Sequence, residues 1–165
     1  MSTPNFDVLQ PSRKKLAPGD VFVMRYRELG YIFGRVIDVD MSGHPHSPLP
    51  GCNLIYIYDV RSPRAELDGI ELRRDRLLVA PLFVNRLPWS RGYFQTIARG
   101  DLAASDILDR HCYDASFQHR MLFVGDNYTE LDEVFEPCGV WGVHSYLTVD
   151  YEVSAALGLP PPTDW

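Results

Sequence analysis

The sequence predicts an α+β fold, with one strand-rich domain built on a mainly antiparallel, curled or barrel-like sheet and one or two short helices. Three observations lead there. Period-two alternation of β-branched and aromatic residues recurs along the chain, Gly- and Pro-rich stretches separate those segments, and strands do not alternate with helical patterns as βαβ units require. With 165 residues, 45% hydrophobic and 23% charged, the chain has the size and balance of one soluble domain spanning 1–165, without internal repeats.

Residues 1–17 hold Pro4 and Pro11 and read as an extended arm leading into the turn Ala17-Pro18-Gly19-Asp20. VFVMRYRE (21–28) then sets Phe22, Met24 and Tyr26 against Val23, Arg25 and Arg27, the signature of a strand. YIFGRVIDVD (31–40) pairs with it as a hairpin through the short Glu-Leu-Gly connection. Within the second strand Gly34 is expected to mark a bend, and Arg35 to pair with Asp20 or Asp59. Three prolines and two glycines in MSGHPHSPLPGCN (41–53) exclude regular structure, and LIYIYDV (54–60) follows as a third strand.

PRAELDGIELRRDRLL (63–78) fits either a short helix or a turn-rich crossover, because Gly69 interrupts its apolar spacing. LLVAPLFVN (77–85) and GYFQTIAR (92–99) read as strands, with Pro81 at a bulge or edge. DLAASDILDRHC (101–112) is the clearest predicted helix, N-capped by Asp101 and striped by Leu102, Ile107 and Leu108. RMLFVGDN (120–127) and VWGVHSYLTVDYEV (140–153) are predicted strands. SAALG (154–158) is expected to form a helical turn, and 159–165 a flexible tail.

The net charge of −6 is unevenly placed. From Met121 onward there are eight acids and no Lys or Arg, whereas the first 120 residues hold 14 acids and all 16 bases. Such a field repels nucleic acid and anionic lipid and speeds encounter with a basic partner. No stretch has the length and apolarity of a membrane span, and the amino terminus does not read as a signal peptide, so the expectation is a cytoplasmic protein with no membrane partner. Cys52, Cys112 and Cys138 are an odd, widely spaced set, read as free thiols packed as small hydrophobes.

Candidates for chemistry are few. His44, His46 and Cys52 offer zinc-compatible donors but match no strong ligand spacing, so no metal and no cofactor is expected. His111, Cys112 and His119 suggest a thiol and an imidazole base, but adjacent residues on a helix point about 100° apart and are badly placed for proton transfer. No phosphate loop, zinc-protease or nucleophile-elbow motif occurs, so no catalytic residue is assigned. Two alternatives are carried forward: a small Cys/His enzyme, and a nucleic-acid module using Arg73, Arg74 and Arg76.

Recognition of a protein remains. Tyr128, Glu130, Asp132, Glu133 and Glu136, with Asp150 and Glu152 further on, interleave acids with Trp141, Tyr146 and Tyr151. Aromatic anchors within an acidic rim suit capture of a Lys/Arg-rich protein, although the rings fit a core role as well.

The first hundred residues carry a recognisable pattern: Pro18-Gly19-Asp20 leading to Phe22, then Tyr31, Gly34, Arg35 and Val36, then Asp59, then Gly92 and Tyr93. In order, these resemble the immunity protein 26 family of bacterial polymorphic toxin systems. The chain departs from the family in carrying Tyr93 where Trp is usual, and in a longer proline-rich loop after Asp40. The resemblance implies a cytosolic antitoxin that binds and neutralises a cognate protein toxin, here a basic effector such as a nuclease.

Overall fold

The computed structural model describes residues 3–39, 51–116 and 121–162. These residues form a six-stranded sheet and a three-stranded sheet, neither closed into a barrel. The expected hairpin is β1 (Val21–Tyr26) and β2 (Gly30–Asp38), antiparallel from Val21↔Arg35 to Tyr26↔Gly30. Antiparallel pairing extends through β3 (Asn53–Ser62) to β4 (Leu82–Val84), and on the other side to β5 (Gln95–Ala98). One parallel strand, β9 (Val143–His144), completes the sheet against β4.

Period-two alternation in β3 explains the layering. Ile55 and Ile57 face one side with Phe22, Met24 and Tyr26, whereas Leu54, Tyr56 and Tyr58 face the other. The first side is covered by α1 (Leu87–Ser90), by α2 (Tyr146–Ala156) through Val149 and Val153, and by the arm through Phe6. The second is covered by the small sheet of β6 (Cys112–Asp114), β7 (Phe123–Val124) and β8 (Cys138–Val140), which contributes Tyr113 and Val124. A sheet covered on both faces explains why all four residues of 21–24 are buried.

Two elements differ from the sequence reading. The helix expected at 101–112 is only a 3-10 turn, Ala104–Asp106, because stronger local partners take up its backbone. Asp106 accepts from the Ala103 N–H at 2.8 Å, and the Arg74 guanidinium donates to the Ile107 carbonyl. Conversely, most of the strand expected at 140–153 is the longest helix. Ser145 caps α2 by accepting from the Thr148 N–H at 3.3 Å, and Val149, Asp150, Val153 and Ser154 are its buried stripe. The ambiguous 63–78 segment contains turns and no regular helix.

Gly34 is at the bend expected of it, whereas Arg35 finds a different partner. Gly34 sits beside a register shift in the β2–β3 ladder, and a Cβ there would fall 2.6 and 2.9 Å from two atoms of the Phe22 ring. It is therefore both a bulge and a place where a ring lies on bare backbone. Arg35 pairs with neither Asp20 nor Asp59: its Nη1 lies 3.1 Å from Asp106 Oδ1, at an angle outside hydrogen-bond geometry. Asp20 is instead buried beside Arg99 at 3.4 Å and accepts from the Ala17 N–H. Gly19 needs its left-handed φ of +94° and has no room for a Cβ against the Gly100 carbonyl.

Both ends of the described chain are seated. Asn5 donates from its backbone to Asp150 Oδ2 at 2.7 Å, and from its amide to Ser154 Oγ at 2.9 Å and the Pro160 carbonyl at 2.8 Å. Tyr93 stacks on Tyr146 at 4.9 Å, and the Gly92 carbonyl accepts from the Leu9 N–H.

Candidate protein-binding face

The small sheet carries the acid-rich segment outward. After β7, Asp126–Tyr128 forms a 3-10 turn in which Asn127 and Tyr128 both hold φ of +58°. Left-handed backbone costs a non-glycine residue on the order of 1 kcal/mol and persists only where its surroundings enforce it. Glu130, Asp132, Glu133 and Glu136 are all exposed along the connection from this turn to β8. Val134 on this connection and Val140 at the end of β8 are exposed at 52% and 50%, as is Met121, ahead of β7, at 78%. Tyr128 is half-buried against Trp141, 5.1 Å between ring centroids. Arg110 caps the Phe135 ring at 4.0 Å and so steadies the connection from the side of β6.

Asp150 and Glu152 do not join this face. Both lie on α2, which covers the opposite side of the large sheet, and Asp150 is 0% exposed. Its carboxylate accepts from Asn5, from the Tyr26 hydroxyl at 2.9 Å and from the Ser154 hydroxyl at 3.1 Å. Burial nonetheless pushes the Asp150 carboxyl above its ordinary value. This acid is an internal staple between arm, sheet and helix. Glu152, two residues on and so on the outer side of the helix, is exposed apart from the other acids.

A pocket of about 230 Å³ lies between the two sheets. Three of its walls are rings in mutual contact: Phe83 of β4, Tyr113 of β6 and Trp141 just after β8. Their centroids are 4.9 Å (Phe83–Tyr113), 5.3 Å (Phe83–Trp141) and 5.5 Å (Tyr113–Trp141) apart, all tilted or edge-on rather than stacked. Asp38 at the end of β2 and Asp126 are exposed lining carboxylates.

His111 closes the pocket floor and is only 5% exposed. Its Nε2 lies 2.6 Å from the Tyr56 hydroxyl and its Nδ1 2.8 Å from Asp126 Oδ1. Burial pushes the Tyr56 phenol up to about 12, so the hydroxyl keeps its proton and donates to Nε2. Nδ1–H then donates to Asp126, which also accepts from the His111 backbone N–H at 3.2 Å. With both ring nitrogens engaged, His111 orients Asp126 rather than serving as a free base.

Cys112, next along the strand, turns to the other side, where its thiol meets Cys138 Sγ at 2.7 Å. No disulfide joins any two of the three cysteines. His111 and Cys112 are therefore not brought together as an imidazole–thiol pair. His44, His46 and His119 lie outside the described residues, and Cys52 is buried. Among the described residues no group of three or more His, Cys, Asp or Glu could hold a metal ion. Of the arginines proposed for nucleic acid, Arg73 pairs with Asp75 at 2.8 Å and Arg74 with Asp109 at 3.0 Å. Sequence reasoning found the acids and Trp141 but missed Phe83, Tyr113, Asp38, Asp126 and His111 as one site, since only tertiary pairing brings them together.

The described residues thus form a strand-rich α+β domain with an acid-lined pocket between its two sheets. The chain belongs to the immunity protein 26 family, whose model matches residues 17–120. No curated protein and no solved structure matches the chain. The matched region spans the large sheet up to β5 and the first strand of the small one; the acidic segment, Trp141 and α2 follow it. Among the described residues no helix is long and apolar enough to cross a membrane.

Proposed function

We propose that this protein is a toxin-neutralising immunity protein that acts in the cytoplasm and blocks a basic toxin, such as a nuclease, through the acid-rich face of its small sheet. Family membership supports a toxin as partner. The observation that carries the choice of face is the run of exposed acids at 130, 132, 133 and 136 in a stretch from Met121 onward that has no Lys or Arg. Carboxylates presented there would occupy the positions that nucleic-acid phosphates take on a basic effector, while Val134 and Val140 supply apolar contact. Binding excludes substrate and needs no chemistry from the inhibitor, and the same field opposes nucleic acid as a ligand. Three cysteines without a disulfide suit a reducing compartment.

The test is association kinetics with the toxin encoded beside this gene. Replacing Glu130, Asp132, Glu133 and Glu136 by Lys is expected to slow association by about 10- to 100-fold and to flatten its salt dependence, with the circular dichroism of the fold unchanged. An unaltered on-rate at low salt removes this face from the interaction.

A further inference from the structure

We propose that Cys112 and Cys138 are a disulfide-forming pair, oxidised by a small-molecule disulfide such as that of glutathione, and that the bond ties the acid-bearing connection to β6. Only two sulfurs of this chain are involved, whatever partner the protein binds. The two residues are directly opposed in the parallel pairing of β6 with β8, where Tyr113↔Gly139 and Asp114↔Val140 follow in register. Opposed residues of neighbouring strands project to the same face, and such strands lie about 4.7–4.9 Å apart, within the Cα separation of about 4.4–6.8 Å that a disulfide spans. The two sulfurs are 2.7 Å apart. That is inside the separation of about 3.5–4.0 Å at which unbonded carbon atoms settle, and a bond needs the sulfurs to close by less than about 1 Å.

The step is thiol–disulfide exchange. Cys138 is half-buried and Cys112 is 1% exposed, so Cys138 is the sulfur that meets the oxidant. As a thiolate it attacks one sulfur of glutathione disulfide, whose S–S bond breaks and releases one glutathione thiolate. The Cys112 thiolate then attacks the Cys138 sulfur of the mixed disulfide, forms the protein S–S bond and expels the second glutathione. Two cysteines are oxidised, one glutathione disulfide is reduced, and the two thiol protons end on the two glutathiones. Burial and the neighbouring Cys112 sulfur hold the Cys138 thiol up to about 12, which keeps the first attack slow near neutral pH. The pair is a dithiol where reduced glutathione prevails and closes as the oxidised form accumulates.

The bond closes a loop over 112–138. That loop contains β7, the left-handed turn at Asn127 and Tyr128, and the exposed Glu130, Asp132, Glu133 and Glu136. Cys112 lies within the family-matched region and Cys138 beyond it, so the cross-link fastens the segment that follows to the matched one. Cross-linking lowers the entropy of the unfolded chain, and for a loop and a domain of this size it raises Tm by roughly 5–10 °C.

The experiment refolds the intact protein from urea in glutathione buffers running from fully reduced to fully oxidised, followed by acid quenching and mass spectrometry. Refolding opens every thiol to exchange and removes the kinetic block at Cys138. Loss of two hydrogens is expected, half complete while reduced glutathione is still in excess. Trypsin cleavage after Arg110 and Arg120 gives 111–120 and 121–165, each with one cysteine, and these two peptides are expected joined. The Cys52→Ala variant, which leaves one possible pair, should behave alike; peptide mapping of the parent decides the matter if that variant fails to fold. The oxidised protein should melt roughly 5–10 °C above the dithiothreitol-reduced one.

Thiols that stay reduced in every buffer, glutathione adducts without a joined peptide pair, a bond that includes Cys52, or equal melting temperatures for oxidised and reduced protein would each overturn the proposal. None of these results bears on the charge-reversal test above, which is run on reduced protein. An on-rate slowed by charge reversal, together with thiols that never pair, refutes the cross-link and leaves the acidic face standing.

Discussion

Replacing Gly34 by alanine tests the central packing of the molecule. The added Cβ would stand 2.6 Å from Phe22 Cε2 and 2.9 Å from Cε1, closer still to Cζ, where carbon atoms settle at about 3.5–4.0 Å. The ring must therefore retreat by about 1 Å. It has nowhere to go: Phe22 is fully buried, stacked on Phe94 at 4.6 Å and edge-on to Trp89 at 5.2 Å. Overpacking of this kind costs about 1–3 kcal/mol. Relief of glycine's excess unfolded-state entropy returns about 0.5–1 kcal/mol, leaving a net loss near 2 kcal/mol if the packing cost lies at its upper end. For a chain of this length that lowers Tm by roughly 4–8 °C.

Urea unfolding followed by tryptophan fluorescence reads the change directly, with an unaltered m-value. Phe22→Leu shortens the side chain that causes the clash, so the double variant should be more stable than the sum of the two single losses by about 1 kcal/mol. A Gly34→Ala protein within about 0.5 kcal/mol of the parent, or strict additivity with Phe22→Leu, would refute the packing account.

Two further outcomes follow from interactions already described. Asn5→Ala removes the amide bonds to Ser154 and Pro160 and should cost about 1–2 kcal/mol by thermal unfolding, whereas no loss would mean that the arm is not held by this side chain. The Cys138 thiol is pushed up to about 12, first by burial and then by the Cys112 sulfur, so the folded state binds its proton more tightly than the unfolded chain. Its contribution to stability is accordingly present below the unfolded value and is lost as pH rises toward 12. Native-state alkylation should leave Cys138 unmodified at pH 8 while urea exposes all three thiols; rapid native labelling would contradict this.

Where local pattern and tertiary placement agree, the sequence was legible. The β1–β2 hairpin and β3 follow from alternation alone, since Phe22, Met24 and Tyr26 face one core and Leu54, Tyr56 and Tyr58 the other. The two helical segments were exchanged for a physical reason. Residues 101–112 have helical composition, but Asp106 and Arg74 engage the backbone groups a helix would use. Residues 146–156 are rich in Tyr, Val and Thr, which favour strands, yet Ser145 and the spacing of Tyr146, Val149, Val153 and Leu157 encode a capped helix. Asp150 illustrates what no local signal reveals. Its partners Asn5 and Tyr26 are 145 and 124 residues away, so an acid that looks superficial in sequence is an interior staple.

The two-residue pairing of β9 with β4 joins positions 83 and 143, which are 60 apart in the chain, and it forms the outer edge of the large sheet. So long a closure, held by so few pairs, is among the cheapest parts of the molecule to release. Trp141 sits two residues before that seam, so letting go at the edge parts it from Phe83 and Tyr113 while the hairpin and its core stay intact. Bulk measures of foldedness will therefore overcount the molecules in which those three rings are together.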